Sequence, residues 1–433
     1  MTMSTALLTD RYELTMVDAA LRAGTHDRPS VFEAFGRTLP RGRRYGVVVG
    51  TGRLLQLIES FRFADAELEF LRSHEVVSAP TLDWLADYRF SGTITGYREG
   101  EVYFPGSPLL VVESSFAEGV VLETLILSVL NYDSSVAGAA ARMVSAARGR
   151  PLAEMGSRRT GERSAVAAAR AAYIAGFAAT SNLEAGRSWG VPTMGTAAHA
   201  FTMLHDSEED AFRAQIDALG PSTTLLVDTY DVPTGVETAV RVAGTGLGAV
   251  RLDSGDLLTL VHDVREQLDA LGATATKITV TNDLDEYAIA ALASTPVDSF
   301  GVGTSLVTGS GHPAAGMVYK LVSRQGADGR WVAVSKKSAD KATHGGQKHP
   351  VRLLDASGVA TSETLYVGAL PPTDARGRAL HVPLVVDGVV QREHLGASGV
   401  AAARRHHAAA IAELPDQAYR LAAGEPVIPT VYA

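Results

Sequence analysis

The sequence predicts an α/β protein whose second part is a parallel (β/α) barrel or doubly wound sheet, preceded by an α+β region built from N-terminal residues. Three observations predict it. Between residues 151 and 315, short apolar runs ("PLAEMG", "VPTMG", "TTLLVDT", "LGAVRLD", "KITVT", "VDSFGVG") alternate with helical patterns, which implies parallel pairing. Each run ends in glycine or polar residues, and in a parallel architecture those ends share one face. Before residue 115, by contrast, "GTITGYREGEVYFPGSPLLVVES" alternates and breaks at Gly and Pro, as antiparallel strands do.

Taken in order, residues 1–115 form the α+β region, with "YGVVVGTGRLLQLIESF" readable as strand or helix in part. Residues 116–150 contain no proline and read as a linking helical segment, with a break expected near Asn131 to Ser135. Within 151–315, "SAVAAARAAYIAGFAA" sets Ala165, Ala169, Ala172, Tyr173, Gly176 and Phe177 at helical spacing, and similar patterns follow Asp206 and Asp256. Residues 316–433 complete the N-terminal region: "MVYKLVSRQGADGRWVAVSKK" has hairpin alternation and "GVAAARRHHAAAIAEL" is a late helix, with His406 and His407 expected on its solvated face.

The 433 residues are 46% hydrophobic and 20% charged, enough to bury a large core and to form two or more domains. With no cysteine, disulfides, cysteine-bound zinc and thiolate nucleophiles are excluded, and a reducing cytoplasm is compatible. The N-terminal "MTMSTALLTDRYELTM" lacks the basic and apolar regions of an export signal, and "VVLETLILSVL" is interrupted by Glu123 and short for a bilayer, so neither secretion nor a membrane anchor is expected. The net charge of −9 disfavours nonspecific nucleic-acid binding and requires that an anionic substrate meet a locally basic site.

Several constellations at the predicted strand ends suit such a substrate. In "RLDSGDL", Asp253 and Asp256 flank Ser254 and Gly255 after Arg251; the carboxylates could hold ribose hydroxyls or magnesium, or serve only as a helix cap. "FGVGTS" is a glycine-bearing turn whose amides could cradle a phosphate or merely reverse the chain. "GSRRTGERS" brings Arg158, Arg159 and Arg163 to the rim, while "SKKSADKATHGGQK" adds Lys336, Lys337, Lys341 and Lys348; of the two runs, the arginines are the better placed to neutralise phosphates. In "MGTAAHAF", His199 follows a run of small residues: it is either a packed imidazole or one that a ligand must approach closely. Walker A, dinucleotide-binding, zincin and nucleophile-elbow motifs are absent.

The ordered set "TDRYELTM", "VFEAFGRTLP", "VYFPGSPLLVVE", "EMGSRRT", "TSN", "MGTAAHAF", "LLVDTYD", "RLDSGDL" and "FGVGTS" closely resembles nicotinate phosphoribosyltransferase, from residue 9 to about 350. The resemblance implies an irregular, incomplete α/β barrel joined to an α/β domain built mainly from N-terminal residues, and a head-to-tail homodimer with shared sites. It implies transfer of 5-phosphoribosyl from phosphoribosyl diphosphate to nicotinate, coupled to ATP hydrolysis, with Mg2+, and with His199 as the residue that ATP phosphorylates.

Other roles follow from the same resemblance. Tyr12 matches a tyrosine that stacks on the pyridine ring from the partner subunit; Arg158 and Arg251 match arginines near the pyridine carboxylate or phosphates; Asp228 and Asp253 match carboxylates near ribose and magnesium. Gly301, Gly303 and Thr304 match the 5′-phosphate loop, and Thr196 lies in the segment leading to His199. Met155 stands where relatives often have phenylalanine, so that face of the pyridine would meet a thioether. Ser181 stands where the related nicotinamide enzyme carries an aspartate, which favours a carboxylate substrate. Transfer to nicotinamide or quinolinate, and a non-catalytic nucleotide-binding relative, are the competing readings.

Overall fold

The computed structural model describes residues 4–40, 42–336, 344–372 and 377–433. They form two compact units, residues 139–311 and residues 1–138 together with 312–433, so the division falls inside one long helix, Glu123–Ala147.

Residues 139–311 carry six parallel strands, β1 (Leu152–Glu154), β2 (Ala179–Thr180), β3 (Thr224–Leu226), β4 (Ala249–Leu252), β5 (Lys277–Val280) and β6 (Ser299–Val302), in the spatial order β2-β1-β6-β5-β4-β3. The sheet curls into half a barrel without closing. Register sets Arg251 between Leu226 on β3 and Thr279 on β5, and Gly301 beside Ala153. The run "VPTMG" makes no strand: Thr193 contributes a single bridge to Thr180, and the two-residue β2, too short to leave a periodic signal, takes the sheet edge instead.

The helices between these strands follow from local chemistry. Asn182, Ser207, Asp231 and Asp285 each accept a backbone N–H in the first turn of the helix they precede, satisfying donors that a helix start leaves unpaired. The helix Glu162–Ile174 buries Ala165, Ala168, Ala169, Ala171 and Ala172, small side chains that allow close packing of its backbone.

The other unit is organised on a seven-stranded antiparallel sheet in the order Trp331–Ala333, Met317–Gln325, Pro29–Gly36, Pro108–Ser115, Thr93–Tyr97, His381–Val386 and Val389–Val390. Phe32 stacks on Tyr319 at 5.0 Å between ring centroids within its core. The two readings of "YGVVVGTGRLLQLIESF" resolve into a short strand, Gly46–Val47, and a helix, Thr51–Glu59.

Further expectations need correction. The helix Glu123–Ala147 runs through Asn131–Ser135 without a break, because Asp133, Ser134 and Ser135 are buried and bonded rather than breaking the helix: Asp133 accepts from Arg53 at 2.7 Å and Ser134 donates to Val49 O. The interruption lies at Val121–Leu122 instead. The apolar stretch Phe116–Ala147 is long and apolar enough to span a bilayer, but 67% of its most apolar window is buried within the protein, as in a core helix.

His406 and His407, expected on a solvated face, turn inward. His407 is buried with Nδ1 3.0 Å from Gly100 O, and His406 Nε2 lies 2.8 Å from Glu101 Oε2. Glu101 also accepts from Arg352 and Arg378, so a buried ionic cluster draws that helix face in. Of the lysines named above, Lys348 is likewise buried, 2.7 Å from Glu33, and faces no solvent; Lys337 and Lys341 lie outside the described residues.

Candidate active site

The site lies at the C-terminal ends of the six parallel strands. A cavity of about 570 Å³ opens there, lined by Met155, Arg158, Ser181, Thr196, Arg251, Asp253, Gly301, Gly303 and Thr304 among others. A second cavity of about 640 Å³ occupies the sheet's concave face toward the opposite strand ends, reaching Pro151, Ser222, Lys277 and Asp298. Met155, Met194, Thr196 and Arg251 line both. Tyr12 belongs to the other unit, half exposed on the first turn of the helix Arg11–Arg22, where burial and Glu123 push its hydroxyl up to about 12.

His199 begins the short helix His199–Leu204. Its Nδ1 lies 3.1 Å from Thr229 Oγ1, and its Nε2 lies 3.8 Å from Asp253 Oδ2 and 4.0 Å from Asp228 Oδ1. The imidazole side chain is 34% exposed, so it is not a packed core group: one ring nitrogen is held by a hydroxyl and the other faces two carboxylates. The residues leading to it are small because the space beside them is cavity; a Cβ added at Gly195 would meet nothing within 4 Å.

The two carboxylates are held differently. Asp228, at the end of β3, is buried: its Oδ2 accepts from Asp253 N and Ser254 Oγ, both at 2.7 Å, while Oδ1 has no hydrogen-bond partner among the described residues. Asp253 Oδ1 accepts from Thr281 Oγ1, leaving Oδ2 toward His199. A buried, unpartnered carboxylate oxygen is costly unless something positive meets it. The free oxygens of Asp228 and Asp253 therefore fit a divalent cation that draws its remaining ligands from a phosphorylated substrate, which suits magnesium.

Arg251 reaches across from β4. Its Nη1 donates to Thr196 Oγ1 at 2.8 Å and to Ala197 O at 3.2 Å, which fixes the segment before His199, while its Nε is buried and unpartnered among the described residues. Burial pushes the guanidinium below its ordinary value, Arg158 adds to this, and Asp253 and Asp228 oppose it. It remains charged, with donors free for an anion.

On the far side, Gly301 is fixed by space rather than by backbone angle: an added Cβ would come within 2.6 Å of Thr281 Cγ2 and 2.7 Å of Met155 Sδ. Met155 thus packs on Gly301 while its side chain borders both cavities. Gly303 precedes a four-residue helix, Thr304–Val307. Asn282, just past β5, has φ of 144°, a backbone conformation that an L-residue rarely adopts, and turns the chain at the cavity edge.

Thr229 and Thr281 are the residues that sequence reasoning missed. Each is a hydroxyl within three residues of a strand end; that position is the only signal they carry, and threonine is too common for it to stand out. Asp256, read as a possible cap, accepts from the Thr259 hydroxyl and caps no amide.

Comparisons with known proteins point to one family. Residues 7–131 match the family model of the nicotinate phosphoribosyltransferase N-terminal domain. A nicotinate phosphoribosyltransferase of Mycobacterium tuberculosis is 57% identical, the match covering 98% of this chain and 94% of that protein. One from Bacillus subtilis is 36% identical, over 82% of this chain and 74% of the relative. Among solved structures, human nicotinic acid phosphoribosyltransferase superposes with a TM-score of 0.83 at 25% identity, covering 98% of this chain and 97% of that one.

Proposed function

The chain belongs to the nicotinate phosphoribosyltransferase family, and from that premise we infer that it transfers the 5-phosphoribosyl group of phosphoribosyl diphosphate to nicotinate, giving nicotinate mononucleotide and diphosphate. The observation that carries the reading is the convergence of His199, Asp228, Asp253 and Arg251 on one rim beside a basic, anion-sized cavity.

In this reading the pyridine nitrogen forms a bond to the anomeric carbon as the bond from that carbon to diphosphate breaks. The ribose passes through an oxocarbenium-like state, so the protein's work is to position the ring and stabilise the leaving charge rather than to move protons. Arg158 and Arg251 meet the pyridine carboxylate or phosphates, Ser181 tolerates a carboxylate where an aspartate would repel it, and Gly301, Gly303 and Thr304 receive the 5′-phosphate. Met155 borders the ring pocket. Asp228 Oδ1 and Asp253 Oδ2 are the oxygens that would hold Mg2+, whose chemistry is to neutralise the diphosphate.

The reading extends to ATP coupling. A neutral His199 nitrogen attacks the γ-phosphorus of ATP, the bond to the β-phosphate oxygen breaks and ADP leaves. The phosphohistidine then adds negative charge beside the cation site and favours the productive arrangement of the diphosphate. Tyr12 of a second copy would stack on the pyridine, making the working enzyme a homodimer, and the reaction would take place in the cytoplasm.

The test is direct. Protein supplied with Mg2+ and phosphoribosyl diphosphate is given nicotinate, nicotinamide or quinolinate, each with and without ATP, and the products are identified by mass. Nicotinate mononucleotide, formed faster with ATP, is the expected result; no product from any base favours a binding-only relative. His199→Ala is expected to lose ATP hydrolysis and ATP stimulation while keeping a slow ATP-independent transfer. An acid-labile phosphoryl label that persists in this variant would put the modified residue elsewhere.

A further inference from the structure

Glu154 ends β1 with no exposed surface and no cationic partner among the described residues. A carboxylate in that position is disfavoured unless its oxygens are satisfied, and here each is. Oε1 accepts from Gly156 N and Oε2 accepts from Thr180 Oγ1, both at 2.5 Å. Burial raises its pKa while those two bonds lower it.

The contacts continue outward. Thr180 Oγ1 accepts from Asn182 N at 2.9 Å; the Asn182 carboxamide accepts from Ala185 N at 2.9 Å and donates to Ser157 Oγ at 3.0 Å. The chain of bonds leaves β1 at Glu154, passes through the loop after β2, and returns to the loop after β1 at Ser157, next to Arg158. Gly156 is also wedged against the loop after β6, since an added Cβ would come within 3.0 Å of Gly303 O. The loops after β1 and β2 are thus tied through one buried carboxyl group, and the loop after β6 packs on Gly156 beside it.

We propose that Glu154 is a positioning residue for the pyridine substrate: through Gly156, Thr180, Asn182 and Ser157 it fixes the loop of Arg158 against the loop of Ser181, so that the guanidinium and the hydroxyl face a nicotinate carboxylate together. This rests on the functional reading above. Its chemistry is specific, because a carboxylate accepts at both oxygens. An amide must donate at one end, toward a Thr180 oxygen that already accepts from Asn182.

The experiment compares Glu154→Gln, Thr180→Val and Thr180→Ser with the wild type. Thr180→Val is expected to raise the KM for nicotinate about tenfold, the effect of losing one hydrogen bond to a charged group. Glu154→Gln should raise it in the same direction by about threefold or more. kcat and the KM for phosphoribosyl diphosphate should stay within about threefold, and Thr180→Ser, which keeps the hydroxyl, should restore the wild-type value. In parallel, hydrogen exchange at the Gly156 and Asn182 amides should accelerate in the first two variants and return to normal in Thr180→Ser.

Folded variants with an unchanged nicotinate KM overturn the proposal, as does a loss that falls equally on kcat and both KM values. If Thr180→Val does not fold, Glu154→Gln carries the comparison alone. A wild-type protein that does not use nicotinate would overturn the functional reading instead, and the amide exchange then decides whether the bonded chain exists.

Discussion

Replacing Asp228 by Asn isolates the charge at the centre of the site, because the side chain keeps its shape. Asp228 Oδ2 takes two hydrogen bonds of 2.7 Å, from Asp253 N and Ser254 Oγ, and an amide oxygen can accept both. Each weakens from a charge-assisted to a neutral bond, about 1 kcal/mol apiece, while the cost of burying a charge disappears. The net change in stability should therefore stay within about 2 kcal/mol. Catalysis should suffer more. Oδ1, unpartnered and 4.0 Å from His199 Nε2, becomes an NH2 group that repels a cation instead of attracting one. A carboxylate charge about 4 Å from a bound cation interacts with it by about 4 kcal/mol at an effective dielectric constant of about 20. Because the rim is open to solvent, with the His199 side chain 34% exposed, the realised loss should be smaller, a fall in kcat/KM of roughly 10- to 10²-fold. The assay is steady-state formation of nicotinate mononucleotide with ATP over a range of Mg2+ concentrations, alongside a thermal melt. A well-folded Asp228→Asn enzyme within threefold of wild type would falsify the assignment of that oxygen to a cation or to His199.

Two further outcomes follow from geometry and burial. Gly301→Ala places a methyl within 2.6 Å of Thr281 and 2.7 Å of Met155, so it should cost about 1–3 kcal/mol by overpacking and raise the KM for phosphoribosyl diphosphate; a melt and a KM equal to wild type would show that the turn has slack. Glu13, fully buried and accepting from Thr124 N and Oγ1, is pushed from 4.5 up to about 7 by burial, with Glu123 and Asp10 adding and the Thr124 bonds opposing. A folded-state value above the unfolded one means the contribution is fully present below pH 4.5 and is lost as pH rises through about 7, on the order of 3 kcal/mol. Melting temperatures of wild type should therefore fall relative to those of Glu13→Gln across that window; parallel curves would exclude Glu13 as the cause.

The sequence by itself determined the alternation of strands and helices after residue 150 and the strand ends that carry polar groups, because period and turn chemistry are local properties of the chain. Five of the six strands lie within runs that the pattern marked, and Arg251, Asp253 and Gly301 are found at or beside their ends. His199 and Asp228 also stand among the polar groups after the marked runs; the resemblance carried by ordered motifs added their roles, and added Tyr12, which no periodicity singles out.

Tertiary structure decided what depends on partners distant in sequence. The two-residue β2 exists because β1 lies beside it, and residues 131–135 stay helical because Arg53 and Val49 receive their polar side chains. His406 and His407 look like surface residues in a polar stretch until Glu101 and Gly100, some 300 positions earlier in the chain, are seen to hold them. The same holds within the site. That Thr229 bonds His199, that one oxygen of Asp228 is left without a partner among the described residues, and that Glu154 accepts from both Gly156 and Thr180 are facts of packing and hydrogen bonding, set where separate strands converge.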